Sequence, residues 1–145
     1  MEIKRNEATI NRPDGNRVID GTYVFVDIPS YVAQIKQEKA WETNERNGIT
    51  VFKSDRVAIV VAALHADASI EKNTVNGFIT IQMLEGKARI TTPDGDVDAE
   101  KGQIINFHPG IEHSIYAVTD MIMLLTNHNL DTDSDTESEN EYDEE

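Results

Sequence analysis

The twelve residues Gly102-Gln103-Ile104-Ile105-Asn106-Phe107-His108-Pro109-Gly110-Ile111-Glu112-His113 decide how the rest of the chain reads. A glycine sits where a tight turn after Lys101 wants positive φ, and the apolar run that follows suits a short strand. Pro109-Gly110 then reverses the chain, and His113 opens the next strand. The same rhythm extends outward from this stretch. From Gly48 onward, short runs rich in β-branched and aromatic residues alternate with turn residues, and strands are expected at 49–53, 56–65, 78–84, 88–92, 96–98, 103–107, 114–118 and 121–126. Pro93-Asp94-Gly95-Asp96 is a strong hairpin turn, and Glu85-Gly86 and Lys101-Gly102 mark two more. Ile79, Ile81 and Met83 alternate with Thr80 and Gln82, a period of two that turns one face into a core. Regular short strands with turns at this spacing argue for an all-β barrel or sandwich.

Two flanking regions differ from the barrel. Residues 1–47 are mixed. Tyr23-Val24-Phe25-Val26 reads as a short strand, and a single helix follows, capped by Asp27 or Ser30 and stopped at Asn47-Gly48. Its apolar positions Tyr31, Val32, Ile35 and Trp41 suit packing across the outside of the barrel, with Trp41 a packing or interface residue rather than a ligand platform. Residues 131–145, DTDSDTESENEYDEE, hold one aromatic and no aliphatic residue and are expected to be a disordered acidic tail. The plain reading is a solubilising tail; Ser134 and Ser138, set among acids, suit an acidophilic kinase.

Charge and composition exclude several function classes. The formal charge is −14, but nine of the 27 acids lie in the tail, so the first 130 residues hold eighteen acids against thirteen Lys and Arg, a net of −5. Neither part offers the basic patch that phosphate backbones or anionic membranes require, so neither nucleic acid nor membrane is an expected partner. With no cysteine, disulfides, thiolate nucleophiles and zinc ribbons are excluded, and any metal site must use His and carboxylates. The polar start of the chain lacks the apolar run of a secretory signal, which makes a cytoplasmic location the expectation. There is no nucleophile elbow and no glycine-rich phosphate loop.

The stretch from Gly102 to His113 resembles the second conserved motif of the cupin superfamily position for position, and Gln82-Met83-Leu84-Glu85-Gly86 resembles the end of the first. The resemblance covers about residues 56–128. It implies a cupin-type jelly-roll β-barrel, often dimeric, with any site inside the barrel mouth. It also implies where a metal would sit. Counting back from Gly86, the family's glutamate position holds Ile79, and its His-x-His pair falls on Lys72 and Thr74 or on Asn73 and Val75. His113 is retained, and the Asn usual four residues later is Ala117. One imidazole is too little for a first-row metal, which normally has three protein ligands at a catalytic site. Neither a metal nor another cofactor is therefore expected. Substitute ligands to weigh are His108 and His113 with Glu112 or Glu71 from the loop after the second strand; His65 reads as a strand-end residue, and His128 lies beyond the last strand near the tail.

What remains is an apolar pocket lined by Ile79, Ile81, Met83, Phe107 and Ile115, with His113 and either Asn73 or Gln82 as polar points. The expected function is small-molecule binding in the barrel mouth by a homodimeric protein. The alternative is a cupin enzyme, either a metal-dependent oxygenase or isomerase with noncanonical ligands or a metal-free isomerase using His113 as base. A third reading gives the function to a dimer interface and the acidic tail.

Overall fold

The structure, a computed structural model, describes residues 2–10 and 12–130; the expected acidic tail lies outside the described residues. Eleven strands and two helices follow in the order β1 Lys4–Asn6, β2 Arg17–Asp20, α1 Ile28–Gln37, α2 Lys39–Thr43, β3 Arg46–Lys53, β4 Val57–Leu64, β5 Ser69–Asn73, β6 Gly77–Glu85, β7 Lys87–Thr92, β8 Gly95–Glu100, β9 Ile104–Phe107, β10 His113–Ala117 and β11 Met121–Asn129. They make a five-stranded sheet, β3-β4-β11-β6-β9, facing a four-stranded sheet, β5-β10-β7-β8, with β1 and β2 as a separate hairpin. All the pairings are antiparallel.

The strand period places two cores. Val60, Ala62 and Leu64 of β4, Ile79, Ile81 and Met83 of β6, Ile90 of β7, Phe107, Ile115 and Met123 all face the barrel interior. The residues between them face outward: Val61 and Ala63 of β4, with Ile49, Val51 and Ile122, form a second core beneath Ile35 of α1. β4 is therefore buried on both faces, which is why its sequence is the unbroken apolar run Val-Ala-Ile-Val-Val-Ala-Ala-Leu. The helical region packs across the outside of the sheet, as its apolar face implies.

Three local expectations are corrected. The single helix is two helices broken at Glu38, whose backbone is extended (ψ 147°). Glu38 turns out of the helix to meet Arg12, with Oε2 3.1 Å from Nε. Asn47-Gly48, expected as the helix stop, lies in β3, and Asn47 ends α1 from across the fold by donating Nδ2 to the Ile35 carbonyl (3.2 Å) and to Glu38 Oε1 (3.0 Å). Secondly, Tyr23–Val26 is not a strand. The β-hairpin here is β1 with β2, upstream, and no sheet edge is hydrogen-bonded to the aromatic run. Thirdly, Glu71, Lys72 and Asn73, expected on a loop, lie in β5.

Candidate functional site

At one end of the barrel run two connections, residues 74–76 between β5 and β6 and residues 108–112 between β9 and β10. They are tied together by the Gly110 amide, which donates to the Val75 carbonyl at 2.9 Å, with Gly110 at φ +79°. The turn delivers His113 to the first position of β10, where it is 2% exposed. Its ring stacks on Phe107, with centroids 4.4 Å apart and planes 11° from parallel. Nδ1 lies 3.0 Å from the Ile111 carbonyl. A carbonyl only accepts, so Nδ1 carries the proton and Nε2 of the neutral ring holds the lone pair.

The register across the sheets builds a girdle around this ring. Phe107 pairs with Ile79, and Ile79 pairs with Asn127 on its other side. On the opposite sheet His113 pairs with Asn73. Directly opposed residues share a face with Cβ atoms roughly 5 Å apart, so Asn127, Ile79, Phe107, His113 and Asn73 form one inward row. Ile81 and Met83 lie one and two steps deeper, both buried in the barrel core. The structure thus brings together all six residues expected at the site, His113, Asn73, Ile79, Ile81, Met83 and Phe107, on the inner face. Gln82 is on the other side of its sheet: it pairs with Leu124, which packs against the outer core.

Asn73 faces inward because of a β-bulge. Ile70 pairs with Ile115 and Asn73 with His113, so three steps on β5 match two on β10. Without the extra residue the alternation from Ile70 would turn Lys72 inward. The bulge is held by the Lys72 amide donating to Ser114 Oγ (2.9 Å), and Lys72 adopts φ +52°. That left-handed backbone costs a non-glycine residue about 1–2 kcal/mol. The surrounding fold maintains it, and a half-buried amide rather than an ammonium stands opposite His113.

Asn127 was missed in the sequence because β11 was expected to end at Thr126. Its signal is a polar residue in the inward phase set by Met123 and Leu125. Asn127 is 7% exposed, and its Oδ1 is buried with no hydrogen-bond partner among the described residues. A Cβ built on Gly77 would collide with the His128 carbonyl oxygen and come within 2.9 Å of Asn127 Oδ1, so only a glycine lets β6 and the Asn127 side chain pack this closely.

The metal site of the cupins that the sequence resembles does not fit this girdle. Of the two alternatives for the His-x-His pair, the bulge selects Asn73 and Val75, and together with Ile79 and His113 these offer one good ligand. No group of three or more His, Asp or Glu able to hold a metal occurs among the described residues. His108 packs against Phe78 on the surface, with ring centroids 5.4 Å apart, and Glu71 and Glu112 are exposed. His65 belongs to another cluster, stacked 3.4 Å from Trp41, with Nε2 donating to the Trp41 carbonyl (2.6 Å) and Nδ1 3.3 Å from Asp120. Trp41 is thus a packing residue.

Burial holds the His113 pKa below its ordinary 6.5, outweighing the opposing bond to Ile111. A group with a lowered native pKa binds its proton more readily when unfolded, so stability falls as pH drops from 6.5 toward the lowered native value. Glu38 acts at lower pH. Burial raises its pKa, but bonds from Arg12, Asn47 and Gln34 outweigh this and hold it below 4.5, so its contribution is lost as pH falls from there. Urea midpoints between pH 7.5 and 5 should decline in the wild type and much less in His113→Gln; parallel declines would show that His113 is not the titrating group.

Two sheets packed as a jelly roll, with glycine-anchored turns at Gly86, Gly102 and Gly110, are a cupin fold, and comparison with solved structures shows the same. A cupin superfamily protein from Desulfitobacterium hafniense superposes with a TM-score of 0.58 at 22% identity, over 59% of this chain and 79% of that one. A conserved protein of unknown function from Streptococcus pyogenes gives 0.58 at 23% identity, over 77% and 90%. Salicylate 1,2-dioxygenase from Pseudoaminobacter salicylatoxidans gives 0.53 at 15% identity, over 58% of this chain but 26% of that one. No family model and no curated protein matches the sequence. No helix among the described residues is long and apolar enough to cross a membrane.

Proposed function

We propose that the protein binds a small molecule in the barrel mouth without a resident metal. The observation that carries this reading is the inward row in which His113 and Asn73 stand on one side of Ile79 and Phe107 and Asn127 on the other, a few polar groups flanking apolar walls. A thermal-shift screen of small polar aromatic compounds tests it. Binders should raise the melting temperature of the wild type, and the rise should shrink in His113→Gln. Hits that stabilise both proteins equally would place binding elsewhere.

A second reading rests on His113 alone. A neutral, desolvated imidazole of fixed tautomer is equipped to take a proton from a bound carbon or oxygen acid, as a metal-free isomerase requires. Proton exchange from a bound ligand into deuterated water, lost in His113→Gln, would support it.

The protein is further read as a homodimer. Residues 23–26 form no strand that could pair with a second copy, so the support is apolar contact: Tyr23 and Phe25 are 80% and 84% exposed and line one surface groove with Ile3. Light scattering should give twice the 16.3 kDa chain mass and a lower mass for Phe25→Glu. A monomeric wild type contradicts the dimer.

A further inference from the structure

Asn127 is a costly residue for a barrel wall. Its neighbours along the inward face of β11, Met123 and Leu125, pack into the barrel core, and its register partners Ile79 and Ala58 are buried and apolar. A leucine would fill such a place without leaving a polar atom unmet. Instead the chain keeps a carboxamide whose Oδ1 is buried and unpartnered among the described residues, packed closely against Gly77. Across Ile79 and Phe107 stands His113, whose Nδ1 is committed to Ile111. The row therefore presents two acceptors, Asn127 Oδ1 and His113 Nε2, on either side of an apolar strip.

The ends of this row define what it can hold. Both acceptors call for N–H or O–H donors. Asn73, opposite His113, forms no side-chain hydrogen bond with the described residues and adds an amide that donates and accepts. The row contains no cation to meet an anion and no carboxylate to meet a cation, and an unpaired charge is expensive to bring against apolar walls. We propose that Asn127 is a ligand-binding residue that, with His113, recognises an uncharged N–H-bearing group, a primary carboxamide being the simplest, carried on an apolar or aromatic body. This rests on the reading of the mouth as a small-molecule site and names the chemical class that the site takes.

Three isosteric probes separate the possibilities: benzamide, benzoate and benzamidine, neutral, anionic and cationic. Each is titrated into the full chain at pH 7.5 while the His113 ring signals are followed by NMR. Benzamide should move those signals and bind about tenfold more tightly than either charged probe, the worth of one well-made hydrogen bond. Asn127→Leu should abolish the preference while leaving the melting temperature unchanged or higher, because an unmet polar atom has been removed; a residue kept for structure would instead lose stability. Asn127→Asp should turn the preference toward benzamidine. If benzoate binds at His113 as tightly as benzamide, or if Asn127→Leu keeps the preference, the role of Asn127 is overturned and the small-molecule reading stands. If none of the probes moves the His113 signals at any soluble concentration, the mouth reading and this proposal fall together.

Discussion

Arg12→Ala should lower the stability of the fold by about 3–5 kcal/mol, the usual consequence of removing one partner from a buried ion pair. For a domain of this length that is a melting temperature lower by roughly 10–20 °C. The Arg12 side chain is 1% exposed and its partner Glu38 8%. The guanidinium bonds Glu38 through Nε and Nη2, and Nη2 also donates to Asn47 Oδ1 (3.2 Å) and to the Gly48 carbonyl. Its loss strands a carboxylate at the break between α1 and α2 and loosens the N-terminal segment from β3. The double variant Arg12→Met/Glu38→Met should recover most of the loss, because paired apolar replacements leave no charge uncompensated. Chemical denaturation of the single and double variants checks both statements. A single-variant loss under about 1 kcal/mol, the size of an exposed pair, would show that the clasp contributes little.

Gly86→Ala should be comparably damaging for a different reason. Gly86 has φ +77°, a conformation that costs an alanine about 1–2 kcal/mol. Its Cβ would also collide with the Asp120 carbonyl oxygen and lie 2.8 Å from Met121 Cα. These are backbone atoms at the start of β11, so the central strand of the larger sheet would have to shift, adding roughly 1–3 kcal/mol. Gly102→Ala is the matched control. It has φ +89°, but nothing lies within 4 Å of the added carbon, so it should cost only the conformational part. Equal losses at the two glycines would mean that the close approach of β11 is not what makes Gly86 necessary.

The barrel was legible in the sequence because its strands obey the period of two and its turns carry glycine where φ is positive. Gly86, Gly95, Gly102 and Gly110 all have positive φ. β5 was not legible: Glu71, Lys72 and Asn73 read as loop because polar residues of this kind are scarce in strands. A bulge of one residue cannot be read from composition, yet it decides that Asn73 rather than Lys72 meets His113. Tyr23–Val26 failed in the opposite sense, since β-rich residues make a strand only beside a free edge. The helix break at Glu38 depended on Arg12, twenty-six residues away, and no local signal announces such a contact. At the site, Ile79, Ile81, Met83 and Phe107 followed from alternation and His113 from its turn. Asn127 escaped because the last strand runs four residues beyond its apolar part, which ends at Leu125.

His113 is a neutral imidazole protonated on Nδ1, and the proposed function requires its Nε2 to be free of proton and metal and able to meet a ligand. Long-range proton–nitrogen NMR of the histidine rings at pH 7.5, in protein incubated with Fe(II), Mn(II), Ni(II) or Zn(II) and then desalted, tests it directly. The expected spectrum shows a His113 ring with Nδ1 protonated and an unprotonated, unmetallated Nε2 whose signal shifts on addition of benzamide. A proton or a stoichiometric metal on Nε2 would contradict it.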